Sequence, residues 1–316
     1  MHRIQTKGLM NKIPHVRGKL IANAEISQST WLRVGGPAEI LFLPADIEDL
    51  AYFLRSLDHS VPITTFGAAS NLIIRDAGIP GITIKLGRNF AHIDINDDES
   101  KIKAGGAAID VKISRIARDS GISGLEFLSG IPGTIGGALR MNSGAYGSEV
   151  SDVLVDSQAV NRRGDIITLT REEMQFAYRY NSAASDLIFT IVTLQGGKDT
   201  PENIRHRMEK ISNKRINSQP IRLRTGGSTF KNPSGFKAWK LIETAGCRGL
   251  TCGGAQVSPQ HCNFLINTGN ALGADLEDLG EDVRERVFAQ HGISLEWEIH
   301  RIGLKIPAKT KLRRPR

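Results

Sequence analysis

Cysteine is scarce in this chain of 316 residues: Cys247, Cys252 and Cys262 are its full complement. Their spacing fits no zinc pattern. An odd set of three, in a chain long enough for a full hydrophobic core, argues against a disulfide framework. Free thiols that pack as small apolar side chains suit a reducing compartment. Long apolar runs are missing as well, and none approaches the roughly 18–20 residues of a membrane span. Residues 1–20 are basic but lack an apolar stretch and a small-residue cleavage site, so no secretory leader is expected and the chain reads as cytoplasmic. Gly-x-Gly-x-x-Gly occurs nowhere, which counts against a Rossmann dinucleotide site. There is no internal repeat and no low-complexity tract.

Acidic residues are absent from both ends. Residues 1–20 carry Arg3, Lys7, Lys12, Arg17 and Lys19, and residues 301–316 carry Arg301, Lys305, Lys309, Lys311, Arg313, Arg314 and Arg316. The formal net charge is +8, yet with those 12 set aside 29 basic residues face 33 acidic ones, a net of −4. The ends are expected to be solvated tails on a mildly acidic body. A basic nucleic-acid-binding module is the alternative that the charge raises. It would show steeply salt-dependent DNA binding and no bound chromophore.

The body mixes strands with single helices, an α+β pattern. Glu39–Leu43 reads as a strand. Asp46–Leu57 carries Ile47, Leu50, Ala51, Leu54 and Leu57 at helical spacing behind an Asp46 cap. Short strands are expected at Pro62–Phe66, Leu72–Arg75, Ile82–Leu86, His92–Ile95 and Lys101–Ala104, then a helix at Asp110–Ser120 stopped by Gly121. Asp152–Asn161 and Ile166–Thr170 form a hairpin pattern, with a capping-box spacing from Thr170 to Glu173. Leu187–Leu194 is a strand, and Thr200-Pro201-Glu202 starts a helix that runs to about Asn217. A boundary is expected near residues 217–222. Beyond it come a helix at Lys237–Ala245, strands at Ala255–Ser258 and Asn263–Asn267, and a helix through Leu276, Leu279, Val283 and Val287 stopped by Gly292. In a last strand, Ile293–Ile299, alternation puts Leu295 and Trp297 on one face and Glu296, Glu298 and His300 on the other.

Glycine is in excess, 33 residues, and ten of the 43 positions from Gly105 to Gly147 are Gly. Two glycine-rich turns stand out. In Thr65-Phe-Gly-Ala-Ala-Ser-Asn-Leu72, small residues expose successive N–H groups that can cup phosphate oxygens. In Ser129-Gly-Ile-Pro-Gly-Thr-Ile-Gly-Gly-Ala138, continued by Met141-Asn-Ser-Gly-Ala-Tyr-Gly147, the missing side chains let backbone approach a large flat ligand. A helix after Gly136 would offer its N-terminus to an anion. Either segment alone is also compatible with a tight turn in a β-rich domain.

Together these turns resemble the flavin-binding signature of UDP-N-acetylenolpyruvoylglucosamine reductases. So does the upstream Thr30-Trp-Leu-Arg-Val-Gly-Gly-Pro37. Tyr178-Arg-Tyr-Asn-Ser182 is similar to that family's arginine motif, Gly226-Gly-Ser-Thr-Phe-Lys-Asn-Pro233 to its serine motif, and Leu295-Glu-Trp-Glu-Ile299 to its glutamate motif. The matches keep the family order from Thr30 to about Gly303. The resemblance implies an FAD-binding fold of the vanillyl-alcohol-oxidase type in two subdomains, at residues 21–90 and 91–217. It implies an α+β substrate-binding domain at 218–304, between a basic extension (1–20) and a basic tail (305–316). The implied activity is reduction of UDP-GlcNAc-enolpyruvate to UDP-N-acetylmuramate in peptidoglycan precursor synthesis, with non-covalent FAD and with NADPH as hydride donor. Neither nucleic acid nor a membrane enters, and a monomer is expected.

Carried residue by residue, the resemblance implies flavin contacts at Gly67, Ala68, Ala69, Ser70, Asn71 and Leu72. It implies further flavin contacts at Gly130, Ile131, Pro132, Gly133, Thr134, Gly136, Gly137, Ala138, Asn142 and Gly144. It makes Arg179 the group facing the substrate carboxylate, where negative charge gathers as hydride adds to the enol ether; a planar guanidinium suits that site. Ser228 matches the proton donor. Serine is a weak acid, so it serves only against a strongly basic carbon and with exact placement. Glu298 matches the catalytic carboxyl, for which a raised pKa is expected beside an enolate; spacing alone leaves Glu296 as the alternative. Substrate contacts are implied for Tyr178, Lys231, Asn232 and Gln256. No metal is implied, and none of the eight histidines lies in the glycine-rich turns. The interval from Leu187 to Gly226 lacks the extra strand–helix insert and tyrosine-bearing loop of the family's longer form, so the chain resembles the shorter type. An oxidase of the same fold acting on a small molecule or sugar is the alternative activity.

Overall fold

The computed structural model describes residues 6–10 and 12–306. The remaining residues of the basic ends, 1–5, 11 and 307–316, lie outside the described residues. The chain divides into two compact units. One takes Leu41–Ala68 and Ile82–Arg215 with the N-terminal segment up to Ile21; the other takes Ala22–Ile40, Ala69–Gly81 and the chain from Ile216 onward.

The first unit is built on a five-stranded antiparallel sheet. Its strands are ordered Ile166–Thr170, Leu154–Val160, Ile188–Gln195, Lys101–Gly105 and Ile93–Asn96. Ile102, Ala104, Val192 and Leu194 point from it into a core shared with Ile113 and Ala117 of the helix Asp110–Asp119. Those two side chains are one helical turn apart, so one stripe of the helix is apolar and its opposite face stays wet. Ile47–Ser56 forms a second helix, capped as its sequence requires: the Asp46 carboxylate accepts the Asp49 N–H at 2.9 Å. Ile63–Thr65 pairs in parallel with Ile82–Ile84.

In the second unit an antiparallel sheet runs in the order Arg224–Ser228, Phe264–Asn267, Ala255–Val257 and Thr251–Cys252. The helices Ala238–Thr244 and Gly273–His291 pack on it through Leu241, Ile242, Leu276, Leu279 and Val283. Cys247 and Cys262 are buried in the same core as free thiols. Asp76 holds the start of the long helix by accepting the Gly273 and Ala274 N–H groups at 2.8 and 2.9 Å. Gly292, at φ +67°, ends it. The early segment Ala69–Gly81 belongs to this unit because Leu72–Ile74 pairs in parallel with His300–Ile302.

Three sequence expectations need correction. Ile293–Ile299 is not a strand. Its burial alternates as expected, with Leu295 and Ile299 buried, but Glu298 and Ile299 both donate to the single carbonyl of Thr229 (2.8 and 3.3 Å), so no ladder forms beyond the Phe230–Trp297 bridge. The capping box at Thr170 and Glu173 is made, with bonds of 2.7 and 3.3 Å, but closes a turn rather than a helix. The basic ends are partly tied down. Arg17 pairs with Asp46, Arg301 with Glu281 at 3.1 Å, and Lys305 with the buried Glu277 at 2.9 Å.

Candidate active site

A cavity of about 440 Å³ opens in the first unit. Both glycine-rich turns reach it, through Gly67 and Ala68 from one and Thr134, Gly136 and Gly137 from the other. The glycines are forced by contact. A Cβ on Gly67 would lie 2.2 Å from the Thr134 Oγ1, so the turns meet side chain to backbone. A Cβ on Gly106 would sit 2.1 Å from the Phe189 carbonyl oxygen, and one on Gly136 would sit 2.8 Å from that of Gly106. Strand, turn and helix start are thus stacked backbone on backbone, tied by Gly136 N–H to Gly106 O (3.0 Å) and Gly106 N–H to Thr190 O (2.8 Å). The wall carries three cations, Lys85, Arg88 and Arg140, and no acid; Phe66, Phe189 and Ile109 supply flat apolar surface. This chemistry suits a ligand with both anionic groups and planar rings.

Arg179 lies in the same unit on a two-residue turn. Ala177 and Tyr180 exchange backbone hydrogen bonds of 3.0 Å in both directions, leaving Tyr178 and Arg179 at the tip. Arg179 has φ +56°, an uncommon conformation for a branched-chain-free but bulky residue, held because its surroundings fix it. Buried Asn142 donates to Ala177 O (3.1 Å) and Glu149 Oε1 (2.8 Å) and accepts from Ser151 N–H (3.0 Å). Asn181 donates to the Leu139 and Arg140 carbonyls at 3.0 and 2.8 Å. The guanidinium itself lies over the Tyr178 ring at 5.1 Å and reaches Gly144 O at 3.3 Å.

The second unit gathers the serine and glutamate motifs. Between Thr225 and Ser228 the sheet register slips against Phe264–Asn267, a bulge centred on Gly226 and Gly227. Gly227 needs its φ of +76°, and a Cβ on Gly226 would come within 3.1 Å of both Leu32 and Ile299. The extra residue re-aims Ser228 relative to a regular strand. Directly after Ser228, Thr229 O accepts from Glu298, and Asn263 clamps Phe230 through both its amide atoms (2.8 and 3.0 Å). Asn71 closes the arrangement: it donates to Glu298 O at 2.9 Å and its own carbonyl accepts from His300 N–H at 3.0 Å. Glu296 faces away, largely exposed, with its carboxylate 3.4 Å from the Lys231 ammonium.

Several expected flavin and substrate contacts lie outside this cavity's wall. Ala69, Ser70, Asn71 and Leu72 belong to the second unit, where Asn71 braces Glu298. Gly130 is absent from the cavity wall; a Cβ there would meet the Tyr146 ring at 2.8 Å, so its bareness serves packing. Ile131, Pro132, Gly133, Ala138, Asn142 and Gly144 do not line it either, and the Asn142 and Gly144 contacts described above serve the Arg179 turn. The helix begins at Ile135, ahead of Gly136. Asn232 caps the helix Ala238–Thr244 by accepting the Ala238 N–H at 3.0 Å, and Gln256 reaches Gly249 O at 3.5 Å. Lys85, Arg140 and Phe189 escaped sequence reasoning. They sit on separate elements, and the only local signal was the arginine inside an otherwise apolar Gly-Gly-Ala-Leu-Arg140 run.

Comparison with known proteins decides the family. Residues 38–170 match the model of an FAD binding domain, and residues 219–302 match that of the UDP-N-acetylenolpyruvoylglucosamine reductase C-terminal domain. The reductase of that name from Parvibaculum lavamentivorans is 53% identical over 300 residues, 95% of this chain and 96% of that protein. The chain belongs to the UDP-N-acetylenolpyruvoylglucosamine reductase family. The Azorhizobium caulinodans reductase is 54% identical over 292 residues, covering 92% of this chain and 94% of its own. A crystal structure of the Thermus caldophilus reductase superposes with a TM-score of 0.79 at 31% identity, covering 92% of this chain and all of that one. The reductase C-terminal match contains Ser228, Lys231, Gln256 and Glu298, and the FAD binding match contains both glycine-rich turns. The residues present fit FAD: bare glycine backbone on the cavity wall, and cations with no acid among the lining residues.

Proposed function

We propose a division of labour among named residues for the reaction of this family. The protein is an FAD-dependent oxidoreductase that reduces UDP-GlcNAc-enolpyruvate to UDP-N-acetylmuramate, a step of peptidoglycan precursor synthesis. FAD, when bound, would supply the hydride chemistry that links NADPH to the vinyl carbon of the substrate. The first unit's cavity holds cofactor through the backbone of Gly67, Ala68, Gly136 and Gly137. Arg179 receives the charge that builds on the substrate carboxylate; its fork stabilises that charge more in the transition state than in the ground state. Ser228 delivers the proton to the adjacent carbon. Glu298 hydrogen-bonds the enolate side and must carry a proton to do so, because two neighbouring anions repel.

The observation that carries this reading is the bulge at Gly226–Gly227. It sets Ser228 one residue from the carbonyl that the Glu298 N–H grips. Lys231 meets the substrate's anionic groups by leaving its exposed partner Glu296, an exchange that costs little because surface pairs are weak. In this reading the chain acts in the cytoplasm and as a monomer. Steady-state NADPH oxidation tests the reading: turnover that depends on UDP-GlcNAc-enolpyruvate supports it. NADPH oxidation indifferent to the UDP-sugar favours an oxidase, and colourless protein that takes up no FAD excludes both.

A further inference from the structure

The cavity wall contains a cation that its own protein leaves unneutralised. Lys85 is half-buried at the end of the strand Ile79–Ile84, and its ammonium makes no hydrogen bond or ion pair among the described residues. The ammonium lies over the Phe66 ring, 5.7 Å from Nζ to centroid. Burial pushes its pKa down. Across the same cavity Arg140 is half-buried and makes no carboxylate ion pair among the described residues, Asp186 acting on it only at a distance. It lies over the Phe189 ring at 4.6 Å and spends its donors on the carbonyls of Ala183, Ala184 and Leu187 at 3.1, 3.1 and 2.7 Å. Charges removed from water are ordinarily paired. Here no acid lines the cavity, and the space in front of the cations is open.

Arg179, assigned to the substrate carboxylate where the hydride arrives, does not line this cavity. On that assignment the reacting ring would lie outside the cavity, leaving the cavity for the far half of the cofactor. We infer that Lys85 is a specificity-determining residue for the dinucleotide form of flavin: its ammonium neutralises the diphosphate, and the Arg140–Phe189 pair forms the flat wall for the adenosine. Arg140 acts chiefly by position, since its three carbonyl bonds fix the chain leading into Phe189. This inference rests on the FAD assignment and adds which residues hold which half.

The test is a fluorescence titration of full-length protein, stripped of flavin, with FAD, and with ADP as competitor. The parent should bind FAD, and ADP should displace it. Lys85→Met should raise the FAD Kd about ten- to a hundredfold, the loss of one charge-assisted contact, abolish ADP competition, and flatten the salt dependence of binding. Lys85→Arg, which keeps the charge, should stay within about threefold of the parent. Melting temperatures without flavin identify variants that merely fail to fold, and Lys85→Gln then replaces Lys85→Met. An FAD Kd unchanged in Lys85→Met or its Gln replacement, or ADP that fails to compete in the parent, overturns the inference while leaving the FAD assignment intact. A parent that takes up no FAD overturns both.

Discussion

The backbone N–H of Glu298 donates to the carbonyl of Thr229 at 2.8 Å, so the glutamate motif is registered on the serine motif by main-chain bonding rather than by side-chain contact. Glu296, two residues earlier, is held outside by Lys231. The two carboxylates thus have separable fates. Glu298→Gln should lower kcat by about 10²-fold, as expected for loss of a group acting in the transition state. Glu296→Gln removes an exposed ion pair worth about 0–1 kcal/mol and should leave kcat within about fivefold. Steady-state kinetics of both variants checks this, and the reverse ranking would make Glu296 the catalytic group.

Arg179 is set by a strained turn whose amide braces are Asn142 and Asn181. Arg179→Lys keeps the charge but loses the fork, so kcat should fall about 10²-fold with a smaller change in KM. Near-normal turnover would contradict the geometry assigned to the guanidinium.

Gly67 has no room for a methyl group beside Thr134. Gly67→Ala should cost about 1–3 kcal/mol of stability through overpacking, read as a lowered Tm. Adding Thr134→Ala removes the obstructing hydroxyl, and the double variant should recover most of the loss. A double variant no better than additive would place the strain elsewhere.

Asp110 begins the helix Asp110–Asp119, a position that ordinarily favours a carboxylate. Yet it is fully buried, both its oxygens lack a hydrogen-bond partner among the described residues, and burial raises its pKa well above the usual carboxylate range. The folded state therefore keeps a proton that the unfolded chain releases above about pH 4. The stability tied to this proton is complete below that point and is lost as pH rises towards the folded pKa. Asp110→Asn should flatten this fall, and melting curves from pH 5 to 8 for both proteins would show the difference. Parallel pH profiles would mean that Asp110 is ionised in the fold.

Much of this was legible from residue order because the signals were local. The Asp46 cap and the Gly292 stop each rest on interactions within one turn. The glycine-rich turns were legible for a similar reason: bare backbone is a property of the residue itself. What stayed hidden depends on distant partners. The alternation of Ile293–Ile299 reports burial, which is present. Whether a ladder forms depends on Thr229, some 70 residues away, which offers one carbonyl to two donors. Asn71 reads as a flavin contact from its motif, and nothing local signals that its amide also braces Glu298 across 227 residues. The cavity's cations come from a strand end and a short helix that no spacing rule connects.

The proton role of Ser228 is tested by separating the two half-reactions in an anaerobic stopped-flow experiment on Ser228→Ala. Bleaching of the flavin by NADPH should proceed at the parent rate, because Ser228 takes no part in it. Recovery of the flavin colour on mixing with UDP-GlcNAc-enolpyruvate should slow by about 10²–10⁴-fold, the range for a lost general acid. Recovery at the parent rate would show that the proton comes from another group.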